Sequence, residues 1–265
     1  MKKLFGLALA AMVSLAGVTA AHAGPTMDRI IKEKKLVVGV APWNKFMLQN
    51  PKTGEFEGYI ADDVKNLEAA TGFKVEFVNT TWSGLIAGLQ AGKWDIIMTG
   101  MGATPERAAA VAFSEPYGFI SVTAMLKADN KAQSLADLDK PGNVIAVVAG
   151  TSQQKFSQKK FKQAKVTAFT DTGAAVLEVM QGRAAAYMGD SVSNALRAAE
   201  RPNEVRNLTF PKETEWNSLN HAVRYDDLDL LAFVDAYVRT MRLRGWYKEL
   251  AEKWGLPPEL ATGPQ

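Results

Sequence analysis

Residues 99–117 read TGMGATPERAAAVAFSEPY. Just before them DIIM, at 95–98, is a short apolar run of the kind that forms a buried strand. The strand is expected to enter a flexible turn at Gly100, Met101 and Gly102, and a helix start follows. Thr104 is its N-cap and Pro105 occupies the first helical position. Arg107 lies three residues after the cap, at the positive end of the helix dipole, where a cation is out of place. The placement makes chemical sense if an anion shares the site, held by the guanidinium together with free backbone N–H groups. The plainer alternative is a capped helix carrying a solvated arginine.

Outward from this stretch, short apolar strands alternate with helical patterns. Strands are expected at 36–40, 73–78 and 94–98, with helices at 62–70, closed by Gly72, and at 83–91. The scheme repeats later, with strands at 144–148, 166–169 and 185–188 and helices at 153–161, at 172–181 and from Ser191 onward. Such alternation predicts α/β layers with mostly parallel strands. Extended stretches at 120–127 and 219–224 read as crossings between two lobes. The fold would then be discontinuous, with residues 24–120 and 224–265 forming one lobe and 121–223 the other. Residues 226–255 read as helical, with a stripe of Leu230, Phe233, Val234, Tyr237, Val238 and Met241 that is ordinary core packing.

The chain opens with Met1, Lys2 and Lys3, runs apolar from Leu4 to about Ala20 and reaches Ala21-His22-Ala23. A positive start, a short apolar core and an A-x-A ending predict a secretory signal peptide over residues 1–23, cut before Gly24. The apolar core is short for a spanning helix, and no second run of about 18 apolar residues follows it. Loss of Lys2 and Lys3 takes the formal net charge from +3 to +1, which argues against a nucleic-acid partner. There is no cysteine, and His221 is the one histidine outside the leader. Thiol catalysis, a disulfide framework and a Cys/His zinc site are therefore excluded, and no metal or cofactor is expected.

Several motifs stand in order along the chain: LVVGV at 36–40, Gly58-Tyr59 leading into Asp62, and WSGLIAGL at 82–89. GKWD at 92–95, TPER at 104–107 and FSEPY at 113–117 complete the set. In this pattern the chain resembles the periplasmic solute-binding proteins of the polar amino-acid class (family 3), the receptor components of ABC importers. The resemblance covers essentially the whole chain after the leader. It implies a type II periplasmic-binding-protein fold: α/β, two-lobed, each lobe a mostly parallel sheet flanked by helices, joined by two crossing strands. It also implies a monomeric periplasmic receptor that clamps a free amino acid by hinge closure and delivers it to a membrane permease.

The resemblance assigns roles. Arg107 would hold the ligand carboxylate as a bidentate pair, helped by the helix start at Thr104 and by Thr151 and Ser152 at another helix N-terminus. Asp190 would pair with the α-ammonium, as would the Gly100 carbonyl. Gly102 departs from the pattern, since many relatives carry a hydroxyl there, and this leaves room for a carboxylic acid without an amine. Trp82 and the loop carrying Trp43 and Asn44 would contact the ligand side chain. Receptors for cationic amino acids bring acids from two places that here hold Ala41 and Ile60, so an uncharged or aromatic L-amino acid is expected.

The same fold also serves an enzyme, cyclohexadienyl dehydratase, which acts on arogenate or prephenate and needs a general acid at the departing hydroxyl. The family pattern for that enzyme puts a glutamate where this chain has Ser193, which cannot supply an acidic proton near neutral pH. No G-x-S-x-G elbow, P-loop or metal-ligand cluster is present either. An exported sensor or adaptor that only docks a membrane partner is the remaining alternative.

Overall fold

A computed structural model of the chain describes residues 24–213 and 215–263, so the leader and its cleavage point lie outside the described residues. Strand Lys35–Val40 is the centre of the first lobe. It pairs in parallel with Lys74–Asn79 (Lys35 opposite Lys74) and with Ile96–Met101 (Val38 opposite Ile96). In the second lobe Val144–Val148 pairs in parallel with Lys165–Phe169 and with Ala186–Asp190. Parallel neighbours need crossover connections, and the helices Tyr59–Thr71, Leu85–Gln90, Ser152–Lys160 and Thr172–Met180 provide them.

Two longer strands join the lobes. Gly118–Lys127 and Trp216–Val223 run antiparallel, with Ser121 opposite Trp216 and Gly118 opposite Leu219. Beyond this shared stretch they part. Trp216–Val223 continues beside Ile96–Met101, while Gly118–Lys127 continues beside Ala186–Asp190. The molecule is thus an α/β, two-lobed protein whose two parallel sheets are linked through antiparallel crossing strands. Each lobe has its own apolar core. Val38, Ile60, Leu67, Ile96 and Tyr237 belong to one, and Val122, Leu126, Ile145, Phe156 and Met188 to the other.

Two details differ from the sequence expectation. The strand expected to end before Gly100 runs on to Met101, because both residues are buried and Met101 pairs with Asn220 of a crossing strand. Gly100 takes φ of +74°, which bends the strand without ending it. The helical stretch over 226–255 is two helices, Leu228–Leu243 and Trp246–Trp254, separated where Gly245 turns left-handed at φ +77°. The motif around 82–95 has a packing reason. Trp94 lies against the backbone of Gly88, where an added Cβ would fall 1.9 Å from the indole, so only glycine fits.

Candidate functional site

Thr104 caps the short helix Pro105–Ala108, its hydroxyl accepting from the Arg107 amide at 3.4 Å. That cap fixes the turn from which the Arg107 side chain reaches back into the cleft. Its guanidinium donates to the Gly102 carbonyl at 2.9 Å and, across to the other lobe, to the Gly150 carbonyl at 2.8 Å. Both acceptors are neutral. Burial lowers the arginine from its ordinary pKa, with the Glu106 carboxylate acting weakly the other way. A desolvated guanidinium with only carbonyl partners favours an anion beside it.

Opposite Arg107 stands the start of helix Ser152–Lys160. Thr151 is its N-cap, accepting from the Gln154 amide at 3.3 Å and donating to the Val148 carbonyl at 2.7 Å. The first-turn amides of such a helix have no intrahelical acceptor and point at the cleft. Asp190 ends a central strand and caps the next helix, one oxygen accepting from the Ser193 amide at 2.7 Å.

Trp43 fills the space beside that carboxylate. Its indole Nε1 donates to the other Asp190 oxygen at 3.0 Å and to the Ser193 hydroxyl at 3.1 Å. The ring lies over Gly100, where a Cβ would meet it at 2.5 Å, and stacks on Phe46 with centroids 3.8 Å apart. Gly100 thus makes room for an indole where an ammonium is expected, whereas a Cβ on Gly102 would meet Asn217 and the Ser218 carbonyl at 3.4 Å.

Trp43, Trp82, Gly102, Arg107, Thr151, Ser152 and Asp190 all line one small cavity of about 40 Å³. Gly100 lies beneath Trp43 rather than at the cavity wall. Thr104 faces a separate surface cavity, and Asn44 lines a large cavity of about 800 Å³ that Trp43 and Trp82 also line. Ala41 and Ile60 are fully buried apolar residues, so neither brings charge to the cleft.

The structure adds residues that the sequence reading did not single out. Asn217, on a crossing strand, lines the small cavity, and its amide nitrogen is buried without an acceptor. Thr172 lines both cavities. Neither stands in a motif; only the tertiary pairing of the crossing strands brings Asn217 to the cleft. The sole described histidine, His221, is fully buried and stacked on Tyr117, with centroids 4.6 Å apart, outside the cleft.

Among solved structures, an ancestral amino acid-binding protein described as a precursor of cyclohexadienyl dehydratase matches with a TM-score of 0.80 and 38% identity. The alignment covers 86% of this chain and 99% of that one. A probable amino-acid ABC transporter-binding protein of Haemophilus influenzae is 27% identical over 256 residues, 96% of this chain and 97% of its own length. The cyclohexadienyl dehydratase of Pseudomonas aeruginosa is 26% identical over 198 residues, 74% of each chain. The family model of bacterial extracellular solute-binding proteins, family 3, matches residues 36–257. With its two-lobed α/β fold and that match over most of its length, this chain is a member of the family 3 bacterial extracellular solute-binding proteins.

Proposed function

We propose that this protein is an exported receptor that binds an uncharged or aromatic L-amino acid between its lobes and presents it to an ABC permease. The single observation that carries the reading is Arg107, a desolvated guanidinium directed at the helix start of Thr151 and Ser152 in the opposite lobe. In this reading the solute carboxylate displaces the Gly102 and Gly150 carbonyls and accepts two parallel bonds from the arginine. The helix amides complete its coordination. The α-ammonium replaces the Trp43 indole as the partner of Asp190. Trp82 flanks the side chain. Ala41 and Ile60 leave a cationic side chain without a counter-charge. Export to the periplasm, with cleavage before Gly24, belongs to the same proposal, as do a monomeric state and lobe boundaries near 120–127 and 219–224.

One observation favours a second reading. With Trp43 already bonded to Asp190, a carboxylic acid lacking an amine would use Arg107 and leave the indole in place. The dehydratase reading has less support, since Ser193 is buried and its hydroxyl accepts from the indole.

The test is a thermal-shift screen of the chain from Gly24 onward against the twenty L-amino acids, their keto-acid analogues, arogenate and prephenate. A solute at 100 times its Kd stabilises by about 2.7 kcal/mol, which in a chain of this size raises the midpoint by roughly 5–11 °C. A neutral amino acid should give this shift, and Arg107→Ala should abolish it while keeping the unliganded midpoint within a few degrees. Normal binding by Arg107→Ala sinks the proposal. A shift from keto acids alone selects the second reading, and turnover of prephenate or arogenate selects the enzyme.

A further inference from the structure

A second cavity, much larger than the one that holds Arg107, shares lining residues with it. The two cavities share Trp43 and Trp82, whose rings meet edge to face at 6.0 Å between centroids. The larger cavity's volume of about 800 Å³ suits a small organic molecule. One wall is apolar: the two indoles, Met125, Val176, Met180 and Val205.

The charges around this chamber are unequal once their partners are counted. Asp171 is satisfied, accepting from the Ala174 amide at 2.9 Å and the Thr170 hydroxyl at 3.2 Å. Glu200 faces Lys45 at 3.7 Å, and Arg201 faces Glu204 at 3.6 Å. Arg197 has no such relief. No carboxylate lies within ion-pair distance of its guanidinium among the described residues, and its Nη1 is buried with no hydrogen-bond partner. Its only described interaction is with the face of Tyr187, 5.9 Å from guanidinium carbon to ring centroid. A cation so placed costs free energy until an anion joins it.

We infer that this chamber is a binding compartment for an organic anion, its apolar body against Trp43 and Trp82 and its carboxylate on the Arg197 guanidinium. The orphaned guanidinium at the wall of an aromatic cavity points to this ligand class. Arg197 would then set the charge preference of the chamber. The inference stands whatever solute Arg107 holds, because Arg107 lines only the small cavity and Arg197 only the large one.

The test pairs 4-phenylbutyrate with its neutral isostere 4-phenylbutyramide, titrated by calorimetry into the chain from Gly24 onward and into Arg197→Gln. The wild type should bind the acid at least about tenfold more tightly than the amide, as expected for a charge-assisted hydrogen bond. In Arg197→Gln the two should bind alike, and Arg197→Lys should restore part of the preference. Thermal midpoints of the variants check that each is folded. A preference that survives Arg197→Gln overturns the inference, and its disappearance in Arg107→Ala instead would place the anion in the cleft. Equal binding of acid and amide to the wild type, or no heat from the acid at about 10 mM, overturns it equally.

Discussion

The choice between an amine-bearing and an amine-free solute comes down to one indole. Asp190 is buried and both its oxygens are in use, one on the Ser193 amide and one on Trp43 Nε1. Trp43→Phe keeps an aromatic side chain near Gly100 and removes the Nε1 donor along with part of the ring. The free protein should lose about 1–3 kcal/mol, the cost of leaving a buried acceptor short of one bond. An α-amino solute should then bind more tightly than to the wild type, by roughly tenfold, because its ammonium no longer competes with the indole. A keto acid should gain nothing. Calorimetry with both solutes decides the matter, and unchanged amino-acid affinity would show that Trp43 and the ammonium use different parts of the site. This residue also marks where sequence reading stops. Thr104, Pro105 and Arg107 announce their geometry within four positions, because a cap and the turn that follows it are local. The bond from Trp43 to Asp190 spans 147 positions, and nothing near either residue declares it.

At the scale of elements, strand and helix order was legible because apolar periodicity records burial, and burial is what the sheets and helices share. The misread pieces were those decided by partners: Gly100 and Met101 stay in strand only because a crossing strand pairs there. The same dependence creates a buried cluster of titratable groups where the Tyr59–Thr71 helix meets the C-terminal helices. Asp63 is fully buried, one oxygen accepting from Tyr237 at 2.8 Å and Trp246 at 2.9 Å, the other lying 3.9 Å from His221 Nε2. Burial pushes the carboxyl up to about 7, against the two hydrogen bonds, and pushes the imidazole down to about 3. For Asp63 the folded state holds its proton after the unfolded chain has lost it, so its contribution is full below about pH 4 and fades as pH rises to about 7. His221 acts in the opposite sense, its contribution fading as pH falls below about 6.5. Asp63→Asn removes only the first effect. The stability of wild type relative to the variant should therefore decline between pH 4.5 and 7, by at most about 1.4 kcal/mol per pH unit. Urea midpoints of the two proteins across that range measure it, and parallel profiles would show that Asp63 is ionised throughout.

Taken whole, the molecule is two lobes on a pair of crossing strands, and the contacts between the lobes are few enough to test singly. Arg107 to the Gly150 carbonyl, Trp43 to Asp190 and Lys45 to Glu200 tie the lobes together, and Val192 of the second lobe enters the core of the first. Gly150 is the tightest of these meeting points. It adopts φ of +82°, and a Cβ there would fall 2.6 Å from the Ser83 backbone on the facing lobe. Backbone cannot give way as a flexible side chain can, so Gly150→Ala should hold the lobes apart, with some local strain at its left-handed φ. Neither lobe's core includes Gly150, so thermal stability of the unliganded chain should fall by only about 1 kcal/mol. Solute affinity should fall much further, because the helix start at Thr151 can no longer reach a carboxylate on Arg107. The contrast with Arg107→Ala is informative, since one variant removes the docking group and the other the closure that follows docking. Small-angle scattering with saturating solute should show wild type compacting and Gly150→Ala remaining extended. If the variant compacts fully and binds normally, closure does not pass through Gly150 and Ser83, and the lobes must meet along another path.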